Sequence, residues 1–236
     1  MANYMELLSF GDSGWGDELA NGVLVTVTLA LATLPLGLLI GFLIALAKNS
    51  SEPLLRNAAN VYTTIFRGLP ELLTLFLIYY GGQMAISALW RLLFGHAFEV
   101  NSYLAGMIAL ALVFSSYASE VFLSAFKGIT LGQYEGAYAL GLSRSRTMLL
   151  VILPQLVRLA LPGLSNLWLN LLKDTSLVSV IGLTDLLRNT NIAVGVSKQA
   201  FFFFLVACSL YLVMSIISSF GLRRVSAWAE RGQGGR

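Results

Sequence analysis

The run EGAYALGLSRSRTMLLVILPQ, residues 135–155, carries a glutamate, two arginines and a proline between stretches of apolar chain. If those flanking stretches cross a bilayer, this run must lie in water, and the topology is built around it. The composition supports that premise. Of 236 residues 57% are hydrophobic and only 11% charged, where soluble domains carry about 25% charged residues. Mean hydropathy is +0.76. The solvent for most of this chain is therefore lipid. The net charge of +3 is small, so its placement matters more than its size. The single cysteine, Cys208, excludes an intrachain disulfide and a multi-cysteine metal site, and reads as a small buried hydrophobe. No basic segment precedes the first apolar run, so a cleavable signal peptide is not expected.

A helical crossing needs roughly 20 apolar residues, since the hydrocarbon is about 30 Å thick and a helix rises 1.5 Å per residue. Residues 19–47 contain no charge and form the first crossing, with Pro35 and Gly37 marking a kink or a packing site. Residues 72–90 form the second. Residues 100–126, interrupted only by Glu120, form the third. The fourth is short: residues 159–172 are apolar, Lys173 and Asp174 follow, and a glycine-interrupted stretch ends it. Residues 199–222 are the fifth. Residues 1–18 hold four acids and no Lys or Arg. The connections after the first and third crossings, with the carboxyl tail, hold eleven of the fifteen basic residues. Positive loops remain in the cytoplasm. This predicts an all-α integral membrane protein whose amino-terminal tail, 1–18, is periplasmic. A single transmembrane domain occupies 19–222, and the tail 223–236 is cytoplasmic. The odd number of crossings agrees with termini on opposite sides.

The 135–155 run is then cytoplasmic and amphipathic at helical spacing. Two readings suit it: a helix lying on anionic headgroups through Arg144 and Arg146, or a docking helix for a soluble partner. Its spacing resembles the signature of importer-type ABC transporter permeases: Glu-Ala-Ala, three residues, Gly, nine residues, Ile, one residue, Leu-Pro. Here it reads Glu135-Gly136-Ala137, Gly141, Val151 and Leu153-Pro154. Gly136 and Val151 depart from the signature. YTTIFRGLPELLTLFLIYYGGQ (62–83) and LKDTSLVSVIGL (172–183) are similar to segments of polar amino acid permeases, in particular the Q-type subunits of histidine/lysine/arginine/ornithine and opine uptake systems. Many relatives carry Phe-Arg-Gly after the third-crossing glutamate. This chain has Phe122-Leu123-Ser124-Ala125, so that arginine's role is absent or has passed to Lys127.

The resemblance implies an importer type I ABC permease fold in the bacterial inner membrane and a place in a larger assembly. A homologous M-type permease, or a second copy of this chain, completes the pathway. Two ATP-binding subunits dock on a helix near 135–145, and a periplasmic substrate-binding protein delivers the solute. Nucleic acid has no part. Glu135 would cap the coupling helix or form a salt bridge at its start, Gly141 would allow a close turn or contact, and Pro154 would open the next crossing. The chain binds no cofactor or metal in this reading. Having no Gly-x-x-x-x-Gly-Lys-Ser/Thr loop, it leaves ATP-Mg to the partner ATPase.

Charges within a crossing usually face protein or water. Three acids are candidate pathway residues. Glu71 follows Arg67 by four residues, the spacing of a helical ion pair. Glu120 follows Ser115, Ser116 and Ser119, which read as a wet face. Asp174 adjoins Lys173, with which it could pair. Together the acids suit arginine-like or opine solutes. His96, the only histidine, reads as a surface residue near Glu99, and FFFF at 201–204 as a lipid or interhelical face. A membrane-embedded enzyme would need clustered acids or histidines. A stand-alone carrier would show inverted repeats with paired broken helices. Neither pattern is present.

Overall fold

The computed structural model describes residues 4–11, 14–96 and 100–230. Among the described residues, five helical runs are long and apolar enough to cross a bilayer, and each overlaps one of the predicted crossings. The first, α1, spans Gly16–Lys48 without interruption, Pro35 included. A strongly amphipathic helix, α2 (Pro53–Gly68), follows and is not itself a crossing. The second crossing, α3, covers Glu71–Phe94 and widens into a π-turn at Leu77–Gly81. The third, α4 (Ser102–Gly128), starts where the side chain of Asn101 accepts from the amides of Tyr103 and Leu104. A short helix, α5 (Leu131–Ala139), leads to the fourth crossing, α6 (Arg144–Ile181). Helix α7 (Leu186–Ser197) connects to the last, α8 (Ala200–Glu230).

The fourth crossing is irregular at both ends. Pro154 has no N–H to donate to Leu150, and a π-turn at Met148–Ile152 absorbs the mismatch just before it. Pro154 therefore stands in the first turn of the α-helical stretch Leu153–Asp174, within a run that reaches back to Arg144. At the far end Leu153–Asp174 tightens into a 3₁₀ turn, Thr175–Ile181, which Gly182 ends at φ +93°. This is the glycine-interrupted ending expected from the sequence.

Helix α4 is the post around which the others stand. It packs along α1 over the most extensive contact in the molecule, and also touches α2, α3 and α6. Small residues allow the close approach. A Cβ at Gly41 would lie 2.9 Å from the Ala118 methyl and 3.0 Å from the Ser115 carbonyl oxygen. At Gly37 it would meet the Phe114 ring at 2.6 Å, so the Pro35–Gly37 region is a packing site. Ser115, Ser116 and Ser119 are buried in this region and donate to the carbonyls of Leu112, Val113 and Ser116 of their own helix. The expected wet face is thus a dry seam, because a serine hydroxyl on a helix can be satisfied by the preceding turn. Phe203 is fully buried, whereas Phe201 is exposed on the outer surface. Cys208 is exposed on α8, contrary to the buried reading. His96 accepts from the Trp90 indole; Glu99, its expected neighbour, lies outside the described residues.

Helix α7 is tied to α1 by polar contacts. Leu186 donates its amide to Thr26 Oγ1 at 3.3 Å, and Asn189 Nδ2 donates to the Glu18 carbonyl at 2.6 Å. Asp185 caps α7 by accepting from the Arg188 amide, while its Oδ2 is buried without a hydrogen-bond partner. Burial pushes this carboxyl up to about 6.

Two outcomes follow from this packing. Gly41→Val wedges the α1–α4 seam and should cost about 1–3 kcal/mol. Gly82→Ala, where an added Cβ meets nothing within 4 Å, should not destabilise. Thermal melts in detergent compare the two. For Asp185, the native state holds the proton up to about 6, whereas an unfolded aspartate releases it near 4. Stability from this group is therefore complete below about pH 4 and is lost as pH rises through about 6. Asp185→Asn, which keeps a capping oxygen, should flatten the fall in melting temperature between pH 4.5 and 7.5. An unchanged fall would place its cause at another group.

Candidate functional site

Helices α3, α4 and α6 do not close completely against one another. Between them lies a cavity of about 200 Å³. Glu71, at the start of α3, and Asp174, at the end of the α-helical part of α6, both line it. So do Tyr117 of α4 and Asn170 of α6, on a background of leucine, valine, alanine and phenylalanine. Two acids separated by 103 positions in sequence thus share one small, mostly apolar chamber. No Lys or Arg lines it, and among the described residues neither acid forms an ion pair.

Both pairings expected from the sequence are absent, for identifiable reasons. Arg67 and Glu71 are four apart but not on one helix: α2 ends at Gly68, and Pro70 stands between them. Lys173 is exposed, whereas its helical neighbour Asp174 is half-buried in the cavity wall. Arg67 turns instead to Glu120, with Nη1 to Oε1 at 3.0 Å, and Lys48 reaches the same oxygen at 2.6 Å. Glu120 is therefore not a lining residue of the cavity. It is the anion that joins the ends of α1 and α2 to α4. Sequence spacing held no signal for this, because the three residues come from three separate helices.

The 135–155 run is built differently from the expected helix at 135–145. Helix α5 is offset, ending at Ala139. Glu135 is its fifth residue, exposed, and does not cap it. The turn closes through Gly141, φ +76°, whose amide donates to the Tyr138 carbonyl while that of Leu142 donates to Ala137. The left-handed backbone explains the glycine. At Gly136 an added Cβ would meet nothing within 4 Å, so glycine in place of the usual alanine leaves no internal gap. Ala137 is buried and Leu153 half-buried, and Pro154 is exposed. Gln155 Nε2 donates to Gln133 Oε1 at 3.0 Å and to the Val151 carbonyl, fastening α5 to the crossing that follows. Leu131 and Leu140 are exposed at 76% and 83%. Both lie outside the membrane-crossing runs.

Residues 12–230 match the family model described as the inner membrane component of binding-protein-dependent transport systems. The chain belongs to that family. It is a multi-pass permease subunit of an ABC importer. Its relatives include the nopaline transport system permease protein NocQ of Agrobacterium fabrum, 39% identical over 97% of this chain and 98% of that protein. Another is the arginine ABC transporter permease protein ArtQ of Escherichia coli, 35% identical over 90% and 95%. A solved amino acid ABC transporter, crystallised with histidines, superposes with a TM-score of 0.79 at 29% identity, covering 96% of this chain and 99% of that one. The importer fold expected from the 135–155 run is thus shown, and family membership implies a further permease, ATP-binding subunits and a binding protein as partners.

The Lys48–Glu120–Arg67 cluster makes one direct prediction. The Lys48 side chain is only 5% exposed. Glu120→Gln strands it and Arg67 without a counter-charge and should lower stability by about 2 kcal/mol. Lys48→Met, which leaves Glu120 paired with Arg67, should cost less. Melting of the two variants in the same detergent checks the order.

Proposed function

We propose that this permease carries basic amino acids or their opine derivatives across the bacterial inner membrane, and that the Glu71–Asp174 cavity is where the solute is held. The observation that carries this is the pair of carboxyl groups in one cavity without a cation. A guanidinium or ammonium is the complement such a chamber lacks. Asn170 and Tyr117 supply further hydrogen-bonding groups on its wall. Relatives named for nopaline, octopine, arginine and histidine/lysine/arginine/ornithine transport support the solute class.

In this reading the amino end is periplasmic and the carboxyl end cytoplasmic, as the basic connections favour. The cavity then lies between a periplasmic binding protein on one side and α5 on the other. A homologous M-type permease completes the pathway. Two ATP-binding subunits, which hold the ATP-Mg, dock on α5 and the Gly141 turn. Exposed Leu131, Leu140, Glu135 and Gly136 form the contact, and ATP-driven closure of the ATPase pair is passed to α6 through the Gln133–Gln155 bond. Glu120 fixes the helix ends and does not touch the solute.

Uptake of radiolabelled arginine and nopaline into cells expressing the full set of subunits tests both halves. Asp174→Asn should raise the KM for the transported solute about tenfold or more, the worth of one charge-assisted contact. Gly141→Asp should abolish uptake and release the ATP-binding subunit on purification, with the permease still in the membrane. Unchanged KM removes the cavity assignment; normal transport by Gly141→Asp removes the coupling assignment.

A further inference from the structure

A second group of buried polar atoms lies apart from the cavity, where α1, the 3₁₀ end of α6, the start of α7 and α8 converge. Asp185, Thr26 and Thr175 are each fully buried. The Tyr211 hydroxyl, from α8, lies among the Thr26 and Thr175 hydroxyls and in the field of the Asp185 carboxylate. Apolar side chains surround the group: Leu172, Leu186, Phe203 and Met214 are buried in one cluster, with Tyr211 packed against it. Two of the oxygens, Asp185 Oδ2 and Tyr211 Oη, are buried without a hydrogen-bond partner. They are therefore not bonded to each other, although each belongs to the same enclosed group.

A carboxylate taken out of water needs a counter-charge. Asp185 Oδ1 accepts from the Arg188 amide at 3.0 Å, but the Arg188 guanidinium donates to the Ser179 carbonyl at 3.2 Å. Among the described residues Asp185 forms no ion pair. The groups that do surround it offer oxygen lone pairs. Thr175 gives its hydroxyl proton to the Leu172 carbonyl at 2.8 Å, and Thr26 Oγ1 accepts only the Leu186 amide, at 3.3 Å. One carboxylate and three hydroxyls make a hard donor set with a single negative charge. That matches a singly charged metal ion, whereas calcium sites gather more carboxylate, and no group of three His, Cys, Asp or Glu occurs among the described residues. We propose that Asp185 Oδ2, Tyr211 Oη and the hydroxyls of Thr26 and Thr175 form a site for one alkali-metal cation. The ion supplies the missing counter-charge and joins four helices at one point. Thr175 directly follows Asp174, so the ion also fixes the turn next to that cavity acid. The site is separate from the solute cavity and does not depend on which solute is carried.

Melting of the complete transporter in detergent is compared in sodium, potassium and choline chloride at equal ionic strength, so that general salt effects cancel. A bound metal ion competes with the Asp185 proton, so the melts are run at about pH 7.5, where the carboxyl is ionised. Sodium or potassium should raise the melting temperature above that in choline, and the rise should saturate, as it must for a ligand held by the native state alone. Asp185→Asn should abolish the rise. Tyr211→Phe, which removes one ligand oxygen, should increase the half-saturating concentration on the order of tenfold. Asp174→Asn should keep it. Equal melting in all three salts leaves water as the occupant and overturns the proposal. A rise that survives Asp185→Asn overturns it too, and so does one that is lost in Asp174→Asn, which would put the ion in the cavity. If Asp185→Asn does not assemble, equilibrium binding of radioactive sodium and rubidium to wild type and Tyr211→Phe decides. No saturable binding, or equal affinity in the two proteins, then rejects the site.

Discussion

Everything in this molecule hangs on how closely α1 can approach α4. In lipid there is no hydrophobic gain from pressing two apolar helices together, so contact must come from shape and from backbone proximity. Gly37 and Gly41 remove side chains where Phe114, Ala118 and the Ser115 carbonyl need the space. The seam fixes α4, and α4 then supplies a wall to every other feature: Tyr117 to the cavity, Glu120 to the ion cluster, Leu112 and Ser115 to the tyrosine of α2. The serines that a sequence reader takes for a polar surface are small residues chosen by the same seam. Their hydroxyls are returned to their own helix.

The broken fourth crossing is the second constraint. A regular helix through Pro154 and on past Asp174 would have left one unmatched carbonyl early and carried the chain straight to the surface. The π-turn takes up the first irregularity, and the 3₁₀ turn with Gly182 takes up the other. Between them the helix delivers Asn170 and Asp174 to the cavity. Irregular backbone at membrane depth is tolerated only where protein or a cavity covers it. The 3₁₀ turn meets that condition, with Thr175, Val178, Ser179 and Ile181 buried.

The crossings were legible in the sequence because each is a long uncharged run, and length against bilayer thickness is a strong signal. The 135–155 run was legible as a turn between crossings because its spacing is unusual. Its internal geometry was not, since the offset of α5 from 135–145 depends on a single left-handed glycine, whose φ no pattern reveals. Of the three acids, sequence reasoning treated Glu71, Glu120 and Asp174 alike. The structure separates them: two share a cavity, and the third pairs with two cations. What decided this was not local. The i, i+4 rule gives Arg67 to Glu71, but it applies only within one helix, and Leu69-Pro70 ends that helix.

That break has a consequence for the electrostatics of the permease. With Arg67 and Glu71 on one helix, they would satisfy each other at an interface and contribute a few tenths of a kcal/mol. Separated by Gly68-Leu69-Pro70, they face different surroundings. The cation goes outward to Glu120 and Tyr117; the anion goes into the cavity opposite Asp174. A cavity acid without an internal partner retains its capacity to bind an external one, at the cost of being held in a partly apolar wall. The proline therefore does more than end a helix. It prevents a self-neutralising pair, and so leaves a cavity carboxyl and a cation paired elsewhere within four residues of chain.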